Sequence, residues 1–221
     1  MRLTRRFRPV NMNGCVLYLP FYAYGANAQK IWDMSGQGDH GTITGAVLAP
    51  YGWSFDGIDD EVLCSLTDSL SLSSITFLSW FKRTSADFTN PFKIFVGNID
   101  SVETYFGMVG APPYLSLNIS GTQRTVSASI NTTLNKWHCG VATWSSGNSL
   151  KLYLDGSLAG DSTTTYEGSL SNLTKGFVVG TSGDRGGPFL GVISELLVFS
   201  RSFSLSEIKS YYELTRYRYG T

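Results

Sequence analysis

The chain has 221 residues, of which 42% are hydrophobic, 14% aromatic and 15% charged. That length encloses a core without staples, and plentiful aromatics with little charge exclude a disordered chain, which shows the reverse. The formal charge of zero hides an uneven layout: Arg2, Arg5, Arg6 and Arg8 stand at one end, Arg216 and Arg218 at the other, and the body between carries −6. An acidic body has no basic face for phosphates, so general nucleic-acid binding is not expected.

Residues 1–14 read as a basic arm, either untethered or gripping the acidic body of a neighbouring subunit. Pro9, Asn11, Asn13 and Pro20 interrupt any apolar signal region, so the mature chain is expected to start near Met1 without an export leader. No apolar run approaches the ~18 residues of a membrane span. Cys15, Cys64 and Cys139 are odd in number and widely spaced. They match neither a metal site nor a disulfide framework and read as small buried hydrophobes.

From Cys15 onward, short β-rich runs alternate with turn residues. Residues 74–81 and 137–144 combine β-branched and aromatic side chains. In residues 150–154, Leu150, Leu152 and Leu154 share one face, as a half-buried strand requires. Asp155-Gly156 follows as a type I′ hairpin signal, and residues 145–148 form a slightly longer turn. About thirteen such runs, roughly every 8–14 residues, predict an all-β, two-sheet antiparallel sandwich. No linker divides it, so residues 15–215 form one domain. A short C-terminal helix is predicted over residues 203–214, because Ser204 and Glu207 make a capping box. Leu205, Ile208 and Tyr212 share its expected packing face. Residues 216–221 form a Tyr/Arg tail that leaves the helix.

The motifs stand in a telling order. Cys15-Val-Leu-Tyr-Leu-Pro-Phe21 precedes Trp32-Asp-Met-Ser-Gly-Gln-Gly-Asp39, then Trp53-Ser-Phe-Asp-Gly-Ile-Asp-Asp-Glu-Val62. Ile75-Thr-Phe-Leu-Ser-Trp-Phe81, Lys136-Trp-His138 and Leu150-Lys-Leu-Tyr-Leu-Asp-Gly156 follow, and Gly191-Val-Ile-Ser-Glu195 opens the last strand. This run resembles the laminin G-like, concanavalin A-like lectin/glucanase superfamily, in its pentraxin-like branch. The resemblance implies a jelly roll of about 13–14 strands, in agreement with the strand count.

Glycosidases occur in that superfamily, and its glucanases carry Glu-x-Asp-x-x-Glu on one strand. None of Glu61, Glu103, Glu167, Glu195, Glu207 and Glu213 starts that pattern. Asp56, Asp59, Asp60 and Glu61 read as a solvated turn bending at Gly57. His138, between Trp137 and Cys139, reads as structural, and no enzyme is expected. Calcium has one candidate loop, since Asp33 and Asp39 supply two carboxylates among flexible carbonyls. The alternative is an Asx-turn loop held by its own hydrogen bonds. In relatives an Asp of the last strand faces this loop. Here that position is Ser194, and strand alternation is expected to turn Glu195 to the opposite face.

Sugar recognition uses exposed aromatic faces with polar groups for the hydroxyls. Tyr51, Trp53, Tyr105, Tyr114 and Arg185 are the loop-placed candidates. Two functions follow. One is a non-catalytic carbohydrate-binding or adhesion module whose partner is a glycan or cell-surface polysaccharide. The other is a structural or decorating unit of a virion, with the arm contacting other subunits. Both place the chain outside a cell or on a particle surface.

Overall fold

A computed structural model describes residues 10–21, 26–27, 29–66, 70–86, 90, 92–99, 104–173 and 175–221. Its first strands are β1 (Cys15–Leu19), β2 (Ala26–Asn27), β3 (Lys30–Ile31), β4 (Gly41–Thr44), β5 (Val47–Ala49), β6 (Gly52–Asp56) and β7 (Glu61–Ser65). They continue with β8 (Leu70–Leu72), β9 (Ser74–Arg83), β10 (Phe92–Asn98), β11 (Tyr105–Val109), β12 (Pro113–Ile119) and β13 (Thr122–Ser127). The last are β14 (His138–Ser145), β15 (Asn148–Leu154), β16 (Ser157–Tyr166), β17 (Leu170–Leu173), β18 (Gly176–Val179) and β19 (Leu190–Phe199). Helix α1 (Leu205–Thr215) runs into a 3-10 turn, Arg216–Tyr219. These nineteen strands exceed the expected thirteen or fourteen because several, such as β2 and β3, are two-residue pieces too short to read from sequence.

The strands form two antiparallel sheets, as a jelly-roll sandwich requires. The eight-stranded sheet runs β16-β15-β14-β9-β19-β6-β5, with β1 also pairing β19. The nine-stranded sheet runs β13-β12-β11-β10-β18-β7-β4-β3-β2, and β17 and β8 make a separate pair. Asp155 and Gly156 carry φ of +51° and +78°, the two positive values that a type I′ turn demands.

Phe55, Phe77, Phe81, Phe95, Phe106 and Phe177 fill the space between the sheets. A second apolar cluster lies on the other side of the eight-stranded sheet, where Leu78, Trp80, Cys139, Leu197 and Phe199 meet Ile208 and Tyr211 of α1. The middle of this sheet is therefore covered on both faces. Strands β9, β14 and β19 are accordingly buried along nearly their whole length, with Thr76, Ser79, Thr143, Ser194 and Glu195 buried among the apolar residues. Cys15, Cys64 and Cys139 are free thiols and buried, and burial pushes the thiols of Cys64 and Cys139 up.

Three expectations change. The packing face of α1 consists of Ile208, Tyr211 and Thr215, while Leu205 is 44% exposed. The helix is rotated because the Tyr211 hydroxyl donates to Glu195 Oε2 at 2.5 Å and the Trp80 indole donates to Thr215 Oγ1 at 2.9 Å. The tail does not leave the helix, since Tyr219 is buried and stacks on Trp80 with centroids 4.2 Å apart. Ser194 and Glu195 share a face. A register shift between Ile193 and Glu195 breaks the alternation, so Ser194 reaches Tyr219 while Glu195 reaches Tyr18 and Tyr211. Of the arm, residues 10–14 are held in place, with Arg201 donating to the carbonyls of Asn11 and Asn13. Arg2, Arg5, Arg6 and Arg8 lie outside the described residues.

The capping box forms as read, with Ser204 and Glu207 bonding each other's backbone N–H. Burial pushes the Glu207 carboxyl up, but the Ser204 N–H, the Arg201 guanidinium and the Ser204 hydroxyl outweigh it and hold it below its ordinary value of 4.5. A carboxyl depressed on folding contributes stability that is complete above its unfolded pKa and is lost as pH falls through the folded one. Glu207→Gln is expected to cost about 0.5 kcal/mol at neutral pH, a figure reduced for solvent screening. In urea melts the difference should shrink towards zero below pH ~3.

Candidate glycan-recognition site

The outer face of the nine-stranded sheet carries a cluster of aromatic rings, of which Phe92 is exposed, Tyr114 half-buried and Tyr105 buried. Register places Tyr105 opposite Ser116 and Gly107 opposite Tyr114. Tyr105 and Tyr114 are thus diagonal neighbours, within reach of each other for aromatic side chains. Their rings stack with centroids 5.9 Å apart and planes 23° apart. Phe92, 39% exposed, meets Tyr105 edge-on at 6.3 Å. Burial, and then the neighbouring Tyr114, push the Tyr105 hydroxyl up, so it stays a neutral donor at any physiological pH. Gly107 is required here, because a β-carbon would lie 2.4 Å from the Lys93 carbonyl oxygen at the bulge of β10.

Polar groups border the rings. Gln123 Nε2 donates to Ser116 Oγ at 3.0 Å. Gln123 pairs with Asn118, Thr125 with Ser116 and Ser127 with Tyr114 along β12 and β13. The loop between β18 and β19 lies along the other side. Its Gly187 carbonyl accepts the Ile94 N–H at 3.0 Å, and Gly187 packs on Phe92. An aromatic pair beside amides and hydroxyls is the arrangement that holds a sugar ring by its apolar face and its hydroxyls.

The five predicted sugar-contact residues do not converge. Tyr105 and Tyr114 come together, though on strands and not in loops. Trp53 is corrected: it lies on β6 between β5 and β19, is 3% exposed and packs in the core, where no ligand reaches it. Tyr51, 61% exposed, caps the β5–β6 hairpin with φ of +67°, at the edge of the opposite sheet. Arg185 is exposed on the β18–β19 loop and turns to Glu61, its Nη2 lying 2.9 Å from Oε1. Phe92 and Gln123 were missed. Phe92 reads as one more core aromatic, and Gln123 acquires meaning only from the register of β12 and β13.

The Asp33 loop fits its own hydrogen bonds better than a cation. Asp33 Oδ1 accepts the N–H groups of Tyr18 and Ser35, both at 2.9 Å. Its Oδ2 accepts the Ser35 hydroxyl at 2.6 Å and the N–H groups of Gly38 and Asp39 at 3.0 and 3.2 Å. Five donors saturate that carboxylate, and Asp39 is itself buried. A hard cation wants those same oxygens, so the residues present do not fit calcium. The carboxylates of Asp56, Asp59 and Asp60 lie within 4.8 Å of one another, but in a self-bonded turn. There Asp56 accepts the Ile58 N–H, and Asp60 the Asp56 N–H, at 2.8 and 2.7 Å.

His138 is clamped, its Nδ1 lying 2.8 Å from Asp155 Oδ2 and its Nε2 accepting the Thr133 N–H at 2.9 Å. The ring therefore ties the β15–β16 turn to the strand beside it and faces no nucleophile among these contacts. Among the described residues no helix is long and apolar enough to cross a membrane.

A family model described as the concanavalin A-like lectin/glucanases superfamily, of laminin G type, matches residues 56–209. The chain belongs to that family. No curated protein matches it. Solved structures share the fold at low identity. The receptor-binding domain of botulinum neurotoxin C/D mosaic serotype matches 93% of this chain at 14% identity and a TM-score of 0.69. The binding domain of Paraclostridial Mosquitocidal Protein 1 matches 91%, again at 14% identity and 0.69. A structure concerned with the dependence of botulinum neurotoxin type C cell entry on two ganglioside molecules matches 92% at 12% identity and 0.65. The chain spans about half of each of these, 52%, 52% and 51% of their lengths.

Asp33→Ala would leave four backbone N–H groups and a hydroxyl without their acceptor. It is expected to cost about 3 kcal/mol, since each orphaned buried donor carries its own desolvation penalty. Thermal melts should show that loss equally in excess calcium and in chelator. Calcium-dependent stabilisation of the wild-type chain would contradict the self-bonded loop.

Proposed function

We propose that this chain is a non-catalytic glycan-binding module that holds saccharide rings on the Tyr105–Tyr114 face. The carrying observation is the half-buried Tyr114 ring stacked on the buried Tyr105 ring, beside the exposed Phe92 and Gln123 side chains. Tyr114 is half-buried and Phe92 exposed, so apolar ring surface remains for a ligand. Structures sharing the fold are receptor-binding or binding domains, and one is described by its interaction with gangliosides. That supports a glycan as the partner.

Sugar hydrolysis would require two carboxylates about 5–10 Å apart across the ligand. Among the described residues, the contacts of the aromatic face given above include no carboxylate, and the reading is recognition without catalysis. The alternative role as a structural or decorating unit of a virion rests on the basic arm, whose arginines lie outside the described residues, and on the Tyr/Arg tail.

Tyr114→Ala removes exposed ring area while leaving the inner core untouched. On a glycan array it is expected to weaken the strongest signal by about tenfold or more, the ~1–2 kcal/mol of a lost aromatic contact. Tyr51→Ala, on the opposite sheet, should leave that signal unchanged. Equal loss in both variants, or no glycan signal from the wild type, would overturn the proposal.

A further inference from the structure

A β-sandwich puts apolar side chains on the facing inner sides of its two sheets. At one end of this sandwich each sheet puts a cation there instead. On β9, Phe81 lies in the inner core and Lys82 turns outward, its Nζ 5.2 Å from the centre of the Trp137 ring. Alternation then returns Arg83 to the inner side. On β10, Phe92 meets Tyr105 on the outer face, and Lys93 turns inward, in register with the buried Met108. Arg83 and Lys93 line one cleft, together with Ser85 and the apolar side chains of Met108, Phe189 and Leu190.

The surroundings fix Arg83 in place. Its carbonyl accepts the Asn135 N–H at 3.0 Å. Its Nε donates to Thr132 Oγ1 at 2.9 Å, its Nη2 to the Thr132 carbonyl at 2.6 Å and its Nη1 to the Ser85 carbonyl at 3.2 Å. Burial pushes the guanidinium below its ordinary value, yet an arginine keeps its charge at neutral pH. Among the described residues Lys93 makes no hydrogen bond or ion pair, and none of the described residues lining the cleft is acidic. Two like charges thus share a partly dry space, which costs free energy unless opposite charge enters it. The cleft has room for about one water-sized occupant. That size admits a halide and excludes a sulfate, a phosphate ester or an acidic sugar.

We propose that this cleft is a chloride site, with the ion between Arg83 and Lys93 and the side chains of Met108, Phe189 and Leu190 around it. Chloride is close to water in size. It is weakly hydrated for an anion, so apolar walls cost it less than they cost fluoride. It also accepts hydrogen bonds from any direction, which suits the rotatable donors of a lysine ammonium. Held there, the ion joins the end of β9 in one sheet to the start of β10 in the other and closes the mouth of the sandwich. The unfolded chain has no such cleft, so the ion stabilises the fold by linkage as chloride rises.

The test melts the full chain in mixtures of sodium chloride and sodium gluconate at a constant ionic strength of about 0.2 M, which holds general screening fixed. Tm is expected to rise saturably by about 3 °C as chloride replaces gluconate, with bromide acting like chloride. Lys93→Met puts a neutral side chain beside Met108. In gluconate it should melt no lower than the wild type, because a like-charge contact is gone, and it should lose the chloride response. Lys209→Gln, at an exposed position of α1, should keep that response. A Tm that ignores the exchange of anions, or a full chloride response in Lys93→Met, would overturn the proposal. Should Lys93→Met not fold, chlorine NMR on the wild type decides. The protein is expected to broaden the chloride line, and bromide to restore it by competition. Broadening that bromide leaves untouched would sink the idea.

Discussion

A carboxylate taken out of water needs donors, because an unpaired buried charge costs several kcal/mol. Glu195 has no exposed surface and draws its partners from three parts of the chain: the hydroxyl donors Tyr18 on β1 and Tyr211 on α1, and the Arg218 guanidinium of the terminal turn, an ion-pair partner 3.6 Å away. These partners lie far apart in sequence, so satisfying one charge fixes where the first strand, the helix and the terminus sit. The bulge between Ile193 and Glu195 makes this geometry reachable. Counted from Ile193, regular alternation would point Glu195 into the phenylalanine core, away from Tyr18 and Tyr211. The register of the helix follows too, since Tyr211 can face Glu195 only if Ile208 and Thr215 face the sheet and Leu205 turns outward.

That arrangement divides the surface. The helix and the turn after it cover the middle of the outer face of the eight-stranded sheet, while on the outer face of the nine-stranded sheet Phe92 is exposed and Tyr114 half-buried. The proposed recognition surface therefore rests on strands, with β10, β11 and β12 hydrogen-bonded on both sides and β13 at the edge of the sheet. A platform held this way is preorganised, and its rings lose little freedom when a ligand docks. The Tyr105–Tyr114 stack adds to that rigidity, because each ring restricts the other.

Much of this was legible in the sequence. Asp155-Gly156, the Ser204–Glu207 box and the buried cysteines are local signals, and each appears where local chemistry puts it. The motif order that resembles the concanavalin A-like superfamily led to the right sandwich. Tertiary choices were not legible. Alternation is a count of residues, and the inserted residue at Ser194–Glu195 makes the count fail. Trp53 was expected in a loop, yet it lies on a strand paired with β19 and its ring packs in the core. The aromatic face was legible only in halves: Tyr105 and Tyr114 were named, but their adjacency depends on the register of β11 against β12. For the Asp33 loop both readings fitted the residue types. Only the backbone N–H groups gathered on one carboxylate separate them.

The central claim is that a glycan sits across β11 and β12. The most direct measurement is amide and aromatic chemical-shift mapping by NMR, titrating in the oligosaccharide that gives the strongest array signal. The account predicts perturbations centred on Tyr105, Gly107, Tyr114, Ser116 and Gln123, with the Tyr105 and Tyr114 rings shifting together. Perturbations centred on the Tyr51 hairpin or the Asp33 loop, with the Tyr105–Tyr114 face silent, would contradict it.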